Sequence, residues 1–310
     1  MKRIVALAGG VGAARFLDGL SGVVDAERLF IIGNTADDAE IHGLHISPDL
    51  DTVMYTLAGL ADPERGWGIQ GDTFHCLEAL GRLGAETWFQ LGDRDLAAHL
   101  YRTRRIAEGA TLAKVTAELA KALGVRAALV PMSNDRVRTR VCTPAGELAF
   151  QTYFVERRAT DVVLGVRFEG AEHAEPAPGL IEAIRTADAI IVCPSNPFIS
   201  IGPILSVAGV REALRERRER VAAVSPIVGG RALKGPAADM MRGMGLRPCA
   251  AEVARLYSDF AGVFVLDEAD REQGPEVESL GPRPVITDTI MRGVQERKAL
   301  ASAVVRELGI

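Results

Sequence analysis

The chain has 310 residues, 48% of them hydrophobic, and a formal net charge of −5. That length holds one large α/β domain or two smaller ones, with apolar residues enough for a sizeable core. The acidic balance argues against a general nucleic-acid binder. Four widely spaced cysteines (Cys76, Cys142, Cys193, Cys249) include no C-x-x-C pair. This speaks against a zinc site or a disulfide scaffold and for a reducing compartment. The N-terminus enters a strand without a signal-type apolar region, and no apolar run reaches the roughly 18 residues of a membrane span. The expectation is a cytoplasmic protein that binds neither membrane nor nucleic acid.

The apolar run Ile4 to Leu7 leads into Gly9, Gly10 and Gly12, and then into helical spacing from Ala13 to Leu20. Strand, glycine turn and helix place free backbone N–H groups at a helix N-terminus, where the dipole favours a phosphate. Gly9, Gly10 and Gly12 holding a nucleotide diphosphate is one reading; a tight β–α turn without a ligand is the other. The dinucleotide fingerprint is incomplete. Arg15 stands where the third glycine belongs, and the strand Leu29 to Ile32 ends in Gly33 and Asn34, without the acid that holds a ribose. An NAD site is therefore disfavoured, and Asn34 is a candidate contact to a base or ribose.

Residues 35–51 form a polar loop carrying Asp37, Asp38, Asp49, Asp51, Glu40, His42 and His45. Carboxylates near a phosphate suit a hard cation such as Mg²⁺; Asp49 or Asp51 as a plain helix cap is the alternative. The histidines lack a third soft ligand nearby, which favours hydrogen-bonding roles. From about residue 50 to 125 the pattern is mostly helical: Thr52 to Leu60, Thr73 to Leu83 with Asp72 as its N-cap, Leu96 to Ile106, and Leu112 to Leu123 ending at Gly124. A short strand from Thr87 precedes the third of these. This stretch reads as an insertion or cap on a single α/β domain spanning 1–310. Trp88 and Phe89 either stack on a flat heterocycle or pack in the core.

Arg126 to Val130 reads as a strand, Arg138 to Cys142 and Leu148 to Val155 as a β-hairpin, and Val162 to Phe168 as a further strand. Ala189 to Cys193 is a buried strand that stops at Pro194, Ser195, Asn196 and Pro197. Prolines fix this turn, and Ser195 and Asn196 offer hydrogen bonds to a ligand. The strand Val221 to Val224 leads to Gly229, Gly230, Lys234 and Gly235, a second candidate anion site that lacks the G-K-[ST] ending of a P-loop. Val263 to Leu266 and Val285–Ile286 are the last strands, and Asp288 caps a final helix, Thr289 to Leu308. The alternation predicts a doubly wound, mostly parallel, Rossmann-like α/β sheet with a helical insertion and a β-hairpin. Its polar turns all fall on one edge of the sheet.

The segments Ala8 to Arg15, Asn34 to Asp38, Ser47 to Thr52, Gly92 to Leu96, Pro194 to Pro203 and Ser225 to Gly230 resemble the 2-phospho-L-lactate transferase family, from residue 4 to about residue 270. The resemblance implies transfer of a phospholactate or phosphoenolpyruvate unit from a guanosine-diphosphate-linked donor. The acceptor is the terminal ribityl hydroxyl of the deazaflavin Fo. GMP leaves and (dehydro) coenzyme F-420-0 forms; Mg²⁺ is required and members are commonly homodimers. By the family pattern Gly9, Gly10 and Gly12 would hold the diphosphate, and Asn34, Ser195 and Asn196 the nucleoside end. Asp51 matches the acceptor-binding aspartate and, with Asp49, would hold Mg²⁺ or orient the attacking hydroxyl. A second acceptor contact falls at or next to Gln90, where relatives carry basic residues; Trp88 is a candidate ring contact. The alternative is a nucleotide-sugar-binding regulator of the related gluconeogenesis factor family. The residues leave lactate or enolpyruvate open.

Overall fold

In the computed structural model, which describes residues 3–310, the first apolar run becomes β1 (Ile4–Ala8), buried along its whole length, followed by β2 (Leu29–Gly33). β3 (Ala39–Ile41) and β4 (Leu44–Ile46) pair as a small hairpin inside the polar loop. After β5 (Ala128–Pro131), β6 (Arg138–Thr143), β7 (Gly146–Ala149) and β8 (Gly165–Glu169) make a separate antiparallel sheet. β9 (Ala189–Val192) and β10 (Val221–Val224) return to the main sheet, β11 (Ile227–Val228) and β12 (Arg231–Ala232) form a short ribbon, and β13 (Val263–Asp267) and β14 (Arg283–Thr287) close the set.

The central sheet is seven-stranded and parallel, in the order β14-β13-β10-β9-β1-β2-β5. The five inner strands are buried on both faces, which is why those segments read as unbroken apolar runs, while the edge strands β14 and β5 are partly exposed. Val5 and Leu7 enter one core, with Ile190, Val192, Ala223 and Phe264; Ile4, Ala6 and Ala8 enter the other, with Phe16, Leu17, Ile191 and Val304. From β1 the chain winds outward through β2 and β5. From β9 it winds the opposite way through β10, β13 and β14. The order therefore reverses between β1 and β9, and ligands of open α/β sheets bind in the crevice at such a point.

Five helices matter for the site: α1 (Gly10–Ser21), α2 (Pro48–Leu57), α3 (His75–Arg82), α4 (Asp95–Ala107) and α5 (Leu112–Ala122). Several sequence expectations are corrected at element ends. The helix expected from Thr52 already begins at Pro48, so Asp49 and Asp51 sit in its first turn. No strand forms at Thr87; the segment is irregular as far as α4. Asp72 does not cap α3. Its carboxylate accepts from the N–H groups of Arg94 and Asp95 at the start of α4, while Asp93 accepts from those of His75 and Cys76 at the start of α3. The two loops exchange caps. The second hairpin strand stops at Ala149, and Thr152–Glu156 is a π-helical turn. The last helix begins at Val294, preceded by Gly293, and Asp288 accepts instead from Ile290 N–H and Arg292. Among the described residues no single helix is long and apolar enough to cross a membrane.

Candidate active site

The turns after β1 and β9 meet at the reversal. Ser195 Oγ donates to the Gly9 carbonyl at 2.8 Å, and a Cβ on Gly12 would land on the carbonyl oxygen of Pro194. Gly12 is therefore demanded by close packing of two loops. Gly10 has φ +71°, a conformation that favours glycine. Asn196 caps the next turn, its Oδ1 accepting from Phe198 N–H at 2.9 Å, while Nδ2 faces the Met240 sulfur. Above this junction opens a cavity of about 740 Å³, the size of a small-molecule site. Gly9, Gly10, Gly12, Asp49, Asp51, Gln90, Ser195 and Asn196 all line it, from loops up to 187 positions apart.

Two of the expected site residues are placed elsewhere. Asn34 is fully buried and does not reach the cavity. Its Nδ2 donates to Asp49 Oδ2 at 2.9 Å and to the Ile199 carbonyl at 3.1 Å, and its Oδ1 accepts from Ala36 N–H. Both amide hydrogens go to protein acceptors, one of them Asp49, which the amide helps to position. Trp88 turns outward, Nε1 donating to Glu86, and only its neighbour Phe89 reaches the wall.

Asp49 and Asp51 stand two positions apart on a helix and so face different ways. Asp49 sits against the start of α1 and accepts from Gly10 N–H. Burial, opposed by the Asn34 amide and increased by the charge of Asp38, raises its pKa to about 6. Asp37, also on the wall, is pushed well above the usual carboxylate range by burial and then by Asp49. Its Oδ1 is buried without a hydrogen-bond partner.

Asp51 faces α4. Arg102 grips both of its oxygens, with Nη1 3.1 Å from Oδ2. Burial raises the Asp51 carboxyl and Arg102 pulls it back down. Arg102 Nη1 also lies 3.3 Å from His99 Nδ1. An arginine only donates, so Nδ1 accepts, and the imidazole proton is assigned to Nε2, which lies 3.2 Å from Asp95 Oδ1. Tyr55 Oη donates to the same Asp95 oxygen at 2.6 Å. Burial would raise Asp95, but His99, Tyr55 and Arg102 outweigh it and hold the carboxyl low. Asp95, His99 and Arg102 recur at i, i+4 and i+7 on one face of α4, a spacing that marks them in the sequence. Asp51, Asp95 and His99 each bring one ligand atom within 4.8 Å of the others.

The fold and the position of this cavity define a doubly wound α/β protein with a cavity at its topological switch point, one wall acidic and buried. The family model of "2-phospho-L-lactate transferase CofD" matches residues 4–305, and the chain belongs to that transferase family. It is 41% identical over 302 residues to the 2-phospho-L-lactate transferase of Methanosarcina acetivorans, covering 97% of this chain and 98% of the relative. It is 43% identical over 305 residues to the phosphoenolpyruvate transferase of Streptomyces griseus, covering 96% of each. Among solved structures it is similar to a UPF0052-family protein of Bacillus halodurans, with TM-score 0.64, 17% identity and 98% coverage of both chains; that likeness concerns the fold alone.

Proposed function

We propose that this protein transfers a phospholactate or phosphoenolpyruvate unit from a guanosine-diphosphate-linked donor to the ribityl hydroxyl of Fo, releasing GMP. The observation that carries the reading is the junction itself. The turns after β1 and β9 share one cavity with Asp49 and Asp51, in a chain that belongs to the transferase family. Phosphoryl transfer is governed by positioning and charge, with little covalent work for the protein. Gly9 to Gly12, Ser195 and Asn196 form the donor side. Asp51, fixed by Arg102, lies on the acceptor side, where its carboxylate accepts the hydrogen bond of the attacking hydroxyl and aims it at phosphorus. Gln90 and Phe89 lie on the same wall and offer an amide and an aromatic face to the deazaflavin.

A divalent cation fits the donor side. The unpartnered Asp37 Oδ1 and the protonation-prone Asp49 are hard oxygen donors crowded together, each raising the cost of charging this wall. Asp37 and Asp49 would hold Mg²⁺, which supplies neutralisation of the phosphoryl charge. The Asp51, Asp95 and His99 group is a poorer home, because Arg102 already occupies Asp51. Lactate and enolpyruvate differ by two hydrogens across one C–C bond, a smaller change than the methylene that is worth about 1–3 kcal/mol to a pocket. Assay with each donor, Fo and Mg²⁺ tests the reading: formation of the phosphodiester supports it, and absence of product with both donors removes it.

A further inference from the structure

Four cationic side chains line the cavity: Arg15, Arg65, Lys234 and Arg292. Two of them are neutralised locally. Arg65 pairs with Asp62 at 2.9 Å and Arg292 with Asp288 at 2.8 Å. Arg15 and Lys234 have no ion pair with a carboxylate among the described residues; Lys234 Nζ donates only to the Arg65 carbonyl at 3.3 Å. The two line the same cavity as the glycine turn. Burial and then the charge of Arg15 lower the Lys234 pKa, and burial with Arg297 lowers that of Arg15. Without a carboxylate partner, both offer their charge to an anion that enters the cavity.

The start of α1 is not left free for an anion, because Asp49 already sits against Gly9 and Gly10 there. Arg15 lies on the second turn of α1 and lines the cavity together with Gly9, Gly10 and Gly12 of the turn before it. Lys234 approaches from the turn after β12, on the edge to which β10 also points.

We infer that Arg15 and Lys234 form an anion subsite that receives the diphosphate of the donor, supplying the positive charge that the glycine turn lacks. This assignment rests on the transferase reading for the identity of the anion, and on the unpaired cations for its place. It gives Arg15, which breaks the dinucleotide fingerprint, a task at that position.

Calorimetric titration with inorganic pyrophosphate, GDP and GMP, for the wild type and for Lys234→Ala and Lys234→Arg, tests it. Lys234 is exposed at the cavity rim, so its replacement leaves the core intact, and a thermal melt without ligand checks that. Loss of a charge-assisted contact should weaken pyrophosphate and GDP by roughly tenfold or more. GMP should change less, and Lys234→Arg should restore binding. Unchanged pyrophosphate affinity in Lys234→Ala, equal weakening of GMP and GDP, or no pyrophosphate binding to the wild type would each overturn the subsite. The two readings fail separately. Lys234-dependent pyrophosphate binding without transfer to Fo keeps the subsite and removes the transferase reading. Transfer to Fo with Lys234-independent binding does the reverse.

Discussion

Arg102 holds both carboxylate oxygens of Asp51 across the gap between α4 and α2, and both residues are almost fully buried. Breaking a buried pair by removing one partner strands the other charge, at about 3–5 kcal/mol. Arg102→Ala should lower stability to chemical denaturation by that amount. Combining Arg102→Met with Asp51→Asn should recover most of the stability and none of the activity. A double variant as unstable as Arg102→Ala would show that Arg102 acts through packing and not through Asp51.

Asp51→Asn keeps the shape of the side chain and removes its charge. If Asp51 orients the attacking hydroxyl, turnover should fall about a hundredfold, on the order of 3 kcal/mol, the scale of one transition-state electrostatic contact. Turnover close to that of the wild type would take Asp51 out of the chemistry.

Asp49 has a carboxyl raised to about 6 in the folded protein. The native state therefore binds this proton more readily than the unfolded chain, so stability is highest with the group protonated. It should decline as pH rises from about 4 to about 6, by roughly 3 kcal/mol for a shift of this size. In metal-free buffer Asp49→Asn should lack that part of the decline. Parallel stability–pH curves for the two proteins would count against the raised carboxyl.

Ser195 ties the β9 turn to the β1 turn through the Gly9 carbonyl, and Asn196 caps the turn that follows. Ser195→Ala with Asn196→Ala should weaken GDP binding and leave Fo binding intact, both read by titration. Equal loss of both ligands would mean that the pair supports the fold alone.

Much of this arrangement was legible. The buried parallel strands are continuous apolar runs, so Val221–Val224 and Ala189–Val192 stood out, and the polar turns at their ends located the site. What escaped was set by contacts distant in sequence. Phe150, Thr152 and Phe154 alternate like a strand, yet the chain coils, stacking Phe150 on the exposed Phe154 at 5.3 Å and bringing Phe150 and Tyr153 to one small core. Asp72 precedes α3 and caps α4, a swap that no local pattern encodes. Asn34 is polar after a strand, which suggests a ligand contact, but its partners Asp49 and Ile199 arrive from elsewhere and consume the amide. Arg102 opens the arginine cluster Arg102 to Arg105, and only the α4 face it shares with Asp95 and His99 shows that it points inward.

The most direct measurement is titration of the purified protein with Fo, followed by its absorbance or fluorescence, with and without GDP and Mg²⁺. Each activated donor is then added and the product analysed. Saturable Fo binding and a phosphodiester product with one of the donors is the result predicted. No Fo binding under any of these conditions would contradict the account and leave a nucleotide-binding protein without this acceptor.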